Sequence, residues 1–310
     1  MKVISNIDDI LKYEPTAGVS LTIGNFDGVH LGHQDLLKDI RDKSIEDELR
    51  FVVVSFVPHP HEILKPADNF LINSYEERRS LLRNFGVDYL LEIDFNRDFS
   101  TLKPQEFLDQ YIFCKIPIKK LFLGHDFAFG SNKAGDHDFM QRYCEAKSIK
   151  CILQREYKID NHEISSSIIR KHILSGRITD ANKLLGRELY ISGRVVKGEG
   201  RGRQIGFPTA NLAYSSRRVI PHIGVYATRT LYKKTFYNSV TNIGVKPTFS
   251  STDEIHVETH LLDFDLNIYG EELSIFFLTH LRGEVKFNSI DELVAQIRKD
   301  VVSSQKYFRK

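Results

Sequence analysis

The segment at residues 24–33, GNFDGVHLGH, joins the apolar stretch Val19–Ile23 to an amphipathic stretch. A buried strand, a tight glycine turn and a helix start follow one another where an α/β sheet binds phosphate. His30 and His33 face the same side of the first helical turn, and Gly32 leaves room for a nucleotide against the backbone. The segment therefore predicts chemistry on a nucleotide phosphate, with both imidazoles donating to the developing charge. The alternative is that the two histidines only cap and pack the helix start.

Length and charge narrow the class of protein. A chain of 310 residues is typical of two domains. Its 43 basic and 41 acidic residues form no long run of either sign, which argues against a nucleic-acid partner. Cys114, Cys144 and Cys151 form no CxxC pair and indicate reduced thiols. The N-terminal residues lack an apolar signal core, and the longest apolar run, 51–57, is too short to cross a bilayer. We expect a soluble, cytoplasmic protein without a membrane partner.

Up to residue 184, short apolar segments alternate with amphipathic ones. This alternation predicts an α/β domain at residues 1–184 with a mostly parallel, doubly wound sheet. The expected strands are Val19–Ile23, Phe51–Phe56, Tyr89–Ile93, Lys120–Leu123 and Lys150–Gln154, and the expected helices are 31–46, 75–84, 104–113 and 136–148.

From residue 185 the pattern changes to consecutive strands with turns between them. Such a pattern predicts a second domain at residues 185–310, built as a small antiparallel β-barrel. The expected strands are Leu189–Val196, Val225–Tyr232, Ser239–Ile243, Ile255–Phe264 and Leu273–Leu281. A C-terminal helix follows Ser289, which can cap it, and an apolar stripe on this helix is expected to pack against the barrel.

Three further stretches of the first half lie where expected strands end or where a helix begins. Ligands of an open α/β sheet bind at the carboxyl ends of its strands. The stretches are FVPHP at residues 56–60, GHDFAFG at 124–130 and SSSIIR at 165–170. Serines at a helix start, with Arg170 one turn further on, suit phosphate oxygens, although simple helix capping explains the serines equally well.

In the second half, the stretch 193–212 reads GRVVKGEGRGRQIGFPTANL. Its alternating glycines are not expected to precede a helix, which argues against a Rossmann dinucleotide site. A mobile flap over phosphate is the better functional interpretation, and a plain hairpin loop is the alternative. If the chain is extended at Thr209 and Asn211, both side chains point to one face, and their neutral oxygens suit Mg²⁺.

The sequence HVETH places His256, Glu258 and His260 on one face of a strand. Three functions remain open for this face. It could hold a transition metal, its carboxylate could accept a proton from a substrate hydroxyl, or it could be a surface ladder without function.

The first half resembles the HxGH nucleotidyltransferase superfamily, and in particular the adenylyltransferase half of bacterial bifunctional riboflavin kinase/FAD synthetases. The resemblance rests on NFDGVHLGH, FVPHP, GHDFAFG and SSSIIR in this order. It implies His30, His33 and Arg170 as catalytic residues. It implies ATP contacts from Gly24, Asn25, Phe26, Gly32, Asp126, Ser166 and Ser167, and flavin contacts from Phe56, Pro58 and His59. Ser167 stands where the family often carries threonine, and the hydroxyl is retained.

The second half resembles the riboflavin kinase family, through PTANL at 208–212, GVYA at 224–227, NIGVKPTF at 242–249, ETHLLDF at 258–264 and RGEVKF at 282–287. The resemblance implies a six-stranded barrel, although the pattern shows five clear strands. It implies Glu258 as the base for the ribityl 5′-hydroxyl. It further implies ATP contacts from Gly198, Arg203, Thr209 and Asn211, Mg²⁺ on Thr209 and Asn211, and flavin contacts from Arg282, Glu284 and Phe287.

The leading hypothesis is therefore a bifunctional enzyme that phosphorylates riboflavin to FMN and adenylylates FMN to FAD. Riboflavin, FMN and ATP are the expected ligands, with Mg²⁺ as cofactor, and a weak homo-oligomer is compatible with the sequence. One alternative is that only one domain is active. Another is an RNA-binding or regulatory protein with a degenerate HxGH domain, which the absence of a KMSKS-like loop and of a basic excess disfavours.

Overall fold

The computed structural model describes residues 1–13, 18–66, 69–113, 116–125, 127–130, 134–160, 162–198, 200–246 and 254–308. Two compact units make up the chain. They are Met1–Ala67 with Asn73–Ser165, and Asp68–Ile72 with Ser166–Lys310. The expected boundary between residues 184 and 185 falls inside the second unit, so the fold divides earlier than the sequence pattern changes. The boundary between the functional domains stays a prediction.

Six parallel strands form the sheet of the first unit, in the order β1-β4-β3-β2-β5-β6. They are β1 (Lys2–Ile4), β2 (Val19–Ile23), β3 (Arg50–Val57), β4 (Tyr89–Asp94), β5 (Ile118–Leu123) and β6 (Lys150–Leu153). A short antiparallel hairpin follows, with β7 (Lys158–Ile159) and β8 (His162–Glu163). The predicted parallel sheet is confirmed. Strand β1 was not predicted, because three residues are too few to show a periodicity.

The helices of the first unit are α1 (Asp9–Tyr13), α2 (Leu31–Glu46), α3 (Pro60–Leu64), α4 (Tyr75–Asn84), α5 (Pro104–Phe107) and α6 (His137–Ala146). The bounds of α2 and α4 are those predicted, because each helix has a clear start signal. In α4 the hydroxyl of Ser74 accepts the N–H of Glu77, which is a capping box. The predicted helix at 104–113 is α5 continued by a π-helical turn, Leu108–Ile112.

Hydrophobic clusters cover both faces of the sheet. Alternate residues of β3 belong to different clusters: Val52 and Val54 pack in one, and Phe51 and Val53 pack in the other. Since successive side chains of a strand point to opposite faces, both faces of β3 are buried. This explains why the central strands read as continuous apolar runs.

The second unit contains a closed antiparallel barrel in the order β10-β13-β12-β11-β14-β9. Its strands are β9 (Leu189–Val196), β10 (Ala210–Ala213), β11 (Gly224–Tyr232), β12 (Thr235–Lys246), β13 (Glu254–Leu261) and β14 (Glu272–Arg282). The five predicted strands are confirmed, and β10 is the sixth strand that the family resemblance implied. Strand β10 has only four residues, and it closes the barrel by pairing with both β9 and β13.

Hydroxyl groups occupy part of the barrel interior. The fully buried Thr228 shares hydrogen bonds of 2.8 Å with Ser239 and with Thr241. Thr230 bonds to Ser239 at 2.8 Å, and Thr241 donates to Thr259 at 2.9 Å. Because each hydroxyl both donates and accepts, the network satisfies these groups without water.

Among its described residues, the second unit has the helices α7 (Ser166–Leu174), α8 (Ile178–Leu185), α9 (Arg201–Gln204) and α10 (Ile290–Phe308). Helix α8 packs against β9 and β14. The amide of Asn182 on α8 donates to the carbonyl of Phe277 at 2.8 Å and accepts the N–H of Leu189 at 2.7 Å. Helix α8 is therefore bound to the barrel by hydrogen bonds as well as by apolar contacts.

The C-terminal helix α10 packs against β11, β12 and β14, as predicted. The hydroxyl of Ser289 accepts the N–H of Glu292 at 3.2 Å, so it caps the helix start. The buried carboxylate of Asp300 receives three hydrogen bonds from the guanidinium of Arg282, at 2.7, 2.9 and 3.1 Å. This ion pair ties α10 to the end of β14.

We expect α8 to stabilise the barrel, although the sequence pattern assigned it to the first domain. A fragment 185–310 lacks Asn182 and the buried apolar residues Ile178, Ala181 and Leu184. Burial of one large apolar side chain contributes about 1.5–3 kcal/mol. The fragment 166–310 should therefore exceed the fragment 185–310 in unfolding free energy by about 3 kcal/mol or more. Urea unfolding followed by circular dichroism measures the difference.

The longer fragment offers a matched control. The substitution Asn182→Ala removes two hydrogen bonds to barrel backbone groups and should cost about 1–3 kcal/mol. If the two fragments unfold at the same urea concentration and Asn182→Ala has no effect, α8 does not belong to the barrel's cooperative unit.

Candidate active sites

The loop after β2 has a strained backbone. Phe26 and Val29 have φ angles of 50° and 40°, and Gly28 has 85°. A positive φ is unfavourable for a residue other than glycine, above all for a β-branched one. The side chains of Phe26 and Val29 are buried in a hydrophobic cluster of the first unit. Burial therefore offsets the strain and holds the tight turn ahead of α2.

Two buried polar contacts fix the same loop. The guanidinium of Arg78 donates to the carbonyl of Asn25 at 3.1 Å and pairs with Glu92 at 3.0 Å. The side chains in this pair are 4% and 8% exposed. The carboxylate of Asp27 accepts the N–H of Asn73 at 3.3 Å. This anchor is not predicted by any motif, and its one signal in the sequence is a glutamate inside the apolar strand YLLEID.

His30 and His33 lie in contact at the start of α2. Their ring centroids are 3.7 Å apart at an interplanar angle of 17°. His30 is the N-cap of α2, and its Nδ1 accepts the N–H of His33 at 3.3 Å. A Cβ atom on Gly32 would lie 3.3 Å from this Nδ1. Glycine at position 32 thus keeps space beside the stacked rings, and both the capping and the clustering expected of these histidines are present.

Phe56 belongs to an aromatic cluster at the carboxyl end of the sheet. Neighbouring ring centroids in this cluster lie between 5.2 and 6.1 Å apart. The members are Phe56, Phe95, Phe99, Phe107, Tyr111, Phe127 and Phe129. Phe127 and Phe129, which come from GHDFAFG, therefore join the rings that follow β3 and β4. Asp126 of that loop lies outside the described residues.

His59 starts α3 two residues after β3 ends. Its Nδ1 accepts the N–H of His61 at 3.1 Å, and its own N–H donates to Glu62 at 2.9 Å. The hydroxyl of Tyr75 also donates to Glu62. Burial raises the pKa of Tyr75, and the hydrogen bond to the Glu62 carboxylate raises it further. The phenol therefore stays a neutral donor, and the turn after Pro58 is held by hydrogen bonds.

Ser166, Ser167 and Arg170 lie on α7 in the second unit. The guanidinium of Arg170 donates to the carbonyl of Phe70 at 2.7 Å and stands 3.8 Å from the centre of the Phe70 ring. This contact orients the arginine against Phe70, which belongs to the same unit.

Three strands of the barrel bring polar side chains into one row. Asn211 of β10 pairs with Glu258 of β13, and Glu258 pairs with Asn242 of β12. On β13 the neighbours Val257 and Thr259 are buried, so Glu258 points outward from the barrel. The row therefore presents two amides around a carboxylate. Asn242 begins the motif NIGVKPTF, but its place in this row follows only from the strand register.

Glycines allow a loop to lie over this row. A Cβ atom on Gly198 would collide with the side-chain amide of Asn211, and one on Gly202 would lie 3.4 Å from the hydroxyl of Thr209. The glycine-rich loop thus approaches Thr209 and Asn211 closely, which a plain hairpin loop does not require.

A cavity of about 360 Å³ opens beside this loop. Gly200, Arg203 and Thr209 form one wall, and the segment 264–269 forms another. No sequence pattern predicted a cavity at this segment, because its residues enclose one only through the fold of the barrel.

The three predicted flavin contacts of the barrel domain lie at or after the end of β14. The guanidinium of Arg282 pairs with Asp300, so it has a structural partner. A Cβ atom on Gly244 would lie 2.7 Å from a carboxylate oxygen of Glu284 and 3.3 Å from the amide of Asn242. Glu284 is therefore adjacent to the polar row. Phe287, three residues further along the chain, is half-buried.

The metal hypothesis for His256, Glu258 and His260 gains no support. Within the described residues, the one group of three or more metal-ligating side chains that converges lies elsewhere. The Nδ1 of His260 is 2.8 Å from the carbonyl of Pro208.

Comparisons with known proteins identify both halves. The FAD synthetase family model matches residues 12–168, and the riboflavin kinase model matches residues 185–308. Proteins described as bifunctional riboflavin kinase/FMN adenylyltransferase are similar over nearly the whole chain. The Bacillus subtilis protein is 35% identical and the alignment covers 98% of this chain and 97% of that one. The Escherichia coli K12 protein is 35% identical, with 99% and 98% covered.

The relative from Buchnera aphidicola subsp. Schizaphis graminum is 37% identical, with 99% of each chain covered. A parallel-sheet nucleotidyltransferase unit followed by a flavokinase barrel defines a two-domain class of flavin-nucleotide transferases. The chain belongs to the bifunctional riboflavin kinase/FMN adenylyltransferase family.

A solved structure shares the fold over the whole chain. It has a TM-score of 0.87 and 32% identity, with 98% of both chains covered, and is described as a macrolide-efflux protein from Streptococcus pneumoniae. That description applies to the other protein. In the part of this chain that the structure describes, no helix has the length and apolar character needed to span a membrane.

Proposed function

We propose that the chain makes FAD from riboflavin in two ATP-dependent reactions. In the first, the ribityl 5′-hydroxyl attacks the γ-phosphorus of ATP, and ADP leaves. In the second, the phosphate of FMN attacks the α-phosphorus of another ATP, and pyrophosphate leaves. The observation that supports the proposal is that two separate polar clusters, the histidine pair and the Asn211–Glu258–Asn242 row, each lie inside one matched family model.

We assign adenylylation to residues 1–184 and phosphorylation to residues 185–310. FMN already carries an ionised phosphate, so the adenylyl transfer needs no protein nucleophile. The protein has to position two anions and stabilise the charge that develops on the α-phosphate.

The helix cap supports a donor role for His30. Its Nδ1 accepts a hydrogen bond from the N–H of His33. A nitrogen that accepts carries no proton, so a neutral His30 carries its proton on Nε2 and can donate it toward a phosphate oxygen. We propose that His33, stacked against it, is the second donor.

Other residues of the adenylylation domain are proposed to contact the nucleotide and the flavin because of their positions in the fold. We propose that Gly24, Asn25, Phe26 and Gly32 line the nucleotide, and that Ser166, Ser167 and Arg170 bind phosphate oxygens. The flat, apolar flavin ring suits the aromatic cluster around Phe56, and Pro58 and His59 follow it directly. A contact from Asp126 to the nucleotide stays a prediction.

For the phosphorylation we propose Glu258 as the general base. Its carboxylate stands between two amides, which can orient the substrate hydroxyl. The neutral oxygens of Thr209 and Asn211 form a hard-oxygen donor set that suits Mg²⁺, and the ion would neutralise ATP phosphates when bound. Gly198, Arg203 and the cavity beside them would take the rest of the nucleotide. Arg282, Glu284 and Phe287 are proposed flavin contacts.

Substitution of His30 separates its capping role from its chemistry. His30→Asn retains an oxygen that can cap α2 but removes the imidazole. We expect FAD formation from FMN to fall about 10²–10³-fold in both His30→Asn and His30→Ala. Chromatography of products under MgATP measures this rate. Conversion of riboflavin to FMN by the same variants is the internal control. Wild-type FAD formation by His30→Asn would show that His30 only caps the helix.

Substitution of Glu258 should have the opposite effect. Glu258→Gln keeps the size of the side chain but removes the base, which typically costs about 10²–10⁴-fold. The variant should fail to make FMN from riboflavin and should still convert supplied FMN to FAD. Glu272→Gln, an exposed carboxylate on β14, is the matched control. If Glu258→Gln loses both reactions together, a single shared active site must replace the two-site model.

The close approach of Gly198 to Asn211 has its own test. Gly198→Ala must displace the amide of Asn211, and such overpacking costs about 1–3 kcal/mol. We expect the KM for MgATP in riboflavin phosphorylation to rise about tenfold, with FAD formation from FMN unchanged. In an Asn211→Ala background, Gly198→Ala should have little further effect. Full additivity of the two substitutions would disprove the proposed contact.

A further inference from the structure

Three metal-ligating side chains of the first unit converge outside the groups described so far. They are His125 in the loop after β5, Glu156 between β6 and β7, and Glu163 on β8. One ligand atom from each lies within 4.8 Å of the other two. The Nε2 of His125 is 3.6 Å from a carboxylate oxygen of Glu163. Three separate chain segments thus bring their donors to one point.

The charges around this point favour a cation. Two carboxylates face each other, and the ammonium of Lys158, 2.8 Å from Glu156, balances one of them. Like charges at this separation repel one another, so a divalent ion between them removes an unfavourable interaction. Lys158 can turn away to solvent, because its side chain is half-exposed and flexible.

The donor set indicates the kind of ion. One imidazole nitrogen and two carboxylate oxygens suit Mn²⁺ or Zn²⁺, whereas Mg²⁺ and Ca²⁺ prefer oxygen ligands alone. Bond lengths of about 2.0–2.2 Å place two ligand atoms about 3.0–3.5 Å apart, so donors that lie up to 4.8 Å from one another must close by as much as about 1.5 Å. These side chains are partly or largely exposed, so rotation of their torsions permits that closure.

The cluster lies beside the start of α2. Tyr157, next to Glu156, has its Cβ 3.8 Å from the point where a Cβ atom on Gly32 would lie. Gln154 donates to Asp35 of α2 at 3.1 Å. Strands β5 and β2 are neighbours, so His125 and His30 follow the carboxyl ends of adjacent strands. A cation bound here would lie at the carboxyl ends of the strands, where the histidine pair also lies.

We propose that His125, Glu156 and Glu163 form a binding site for one divalent transition-metal cation, with Mn²⁺ as the representative ion. The site is separate from the Mg²⁺ proposed at Thr209 and Asn211. Three protein ligands leave coordination positions for water or for an anionic ligand. The metal-binding inference stands without the proposed function; only an effect of the ion on adenylyl transfer rests on it.

The test is a titration of the metal-free full-length protein with Mn²⁺ in the absence of nucleotide and flavin. Free Mn²⁺ is followed by electron paramagnetic resonance. We expect one saturable site per chain, with affinity at least about tenfold lower in each of His125→Gln, Glu156→Gln and Glu163→Gln. Glu46→Gln, an exposed carboxylate at the end of α2, should bind as the wild type does.

A second measurement guards against folding defects in the variants. Mn²⁺ should raise the urea midpoint of the wild type and of Glu46→Gln, and should leave that of Glu163→Gln unchanged. Absence of saturable binding to the wild type overturns the proposal. Saturable binding that survives in all three variants also overturns it. The same holds if binding is lost only in His256→Ala, which would place the ion on the barrel instead. Since the assay contains no substrate, failure of the proposed enzymatic function would not affect its result.

Discussion

The fold of the first unit depends on the strained turn that connects β2 to α2. The guanidinium of Arg78, buried beside Glu92, holds the carbonyl of Asn25 and so fixes the strained turn before α2. Removal of one partner from a buried ion pair typically costs about 3–5 kcal/mol, because the other charge stays buried without compensation. The position of the histidine pair therefore relies on a charge pair from α4 and β4, which lie far from it in sequence.

The cap at the start of α2 is compatible with the chemical role that we propose for His30. As the N-cap, His30 accepts the N–H of His33, and this same bond selects the imidazole tautomer with its proton on Nε2. Capping and phosphate binding by His30 therefore do not exclude one another, because they use different nitrogens of the ring. Gly32 leaves space beside His30, since a side chain at position 32 would lie too close to the His30 ring.

In the barrel, closure of the sheet brings polar side chains from distant parts of the chain together. Strand β10 joins β9 and β13, and only this pairing brings Asn211 beside Glu258. The hydroxyls inside the barrel form hydrogen bonds with one another. The polar residues on the outer surface of the barrel are therefore the ones that can contact a ligand. The glycine at position 198 then lets the preceding loop approach Asn211. A rigid closed sheet thus positions side chains from strands that are distant along the chain.

Local patterns in the sequence determined most of the secondary structure. The starts of α2 and α4, the parallel strands and five barrel strands follow from periodicity and capping within a few residues. Motif spacing also selected His30, His33, Thr209, Asn211 and Glu258. Only the tertiary structure decided the pairing of the short strands β1 and β10, the burial of Arg78 against Glu92, and the assignment of α8 to the barrel unit. Strand pairing and charge burial depend on residues far apart in the chain, and no local pattern encodes which distant partner a group will find.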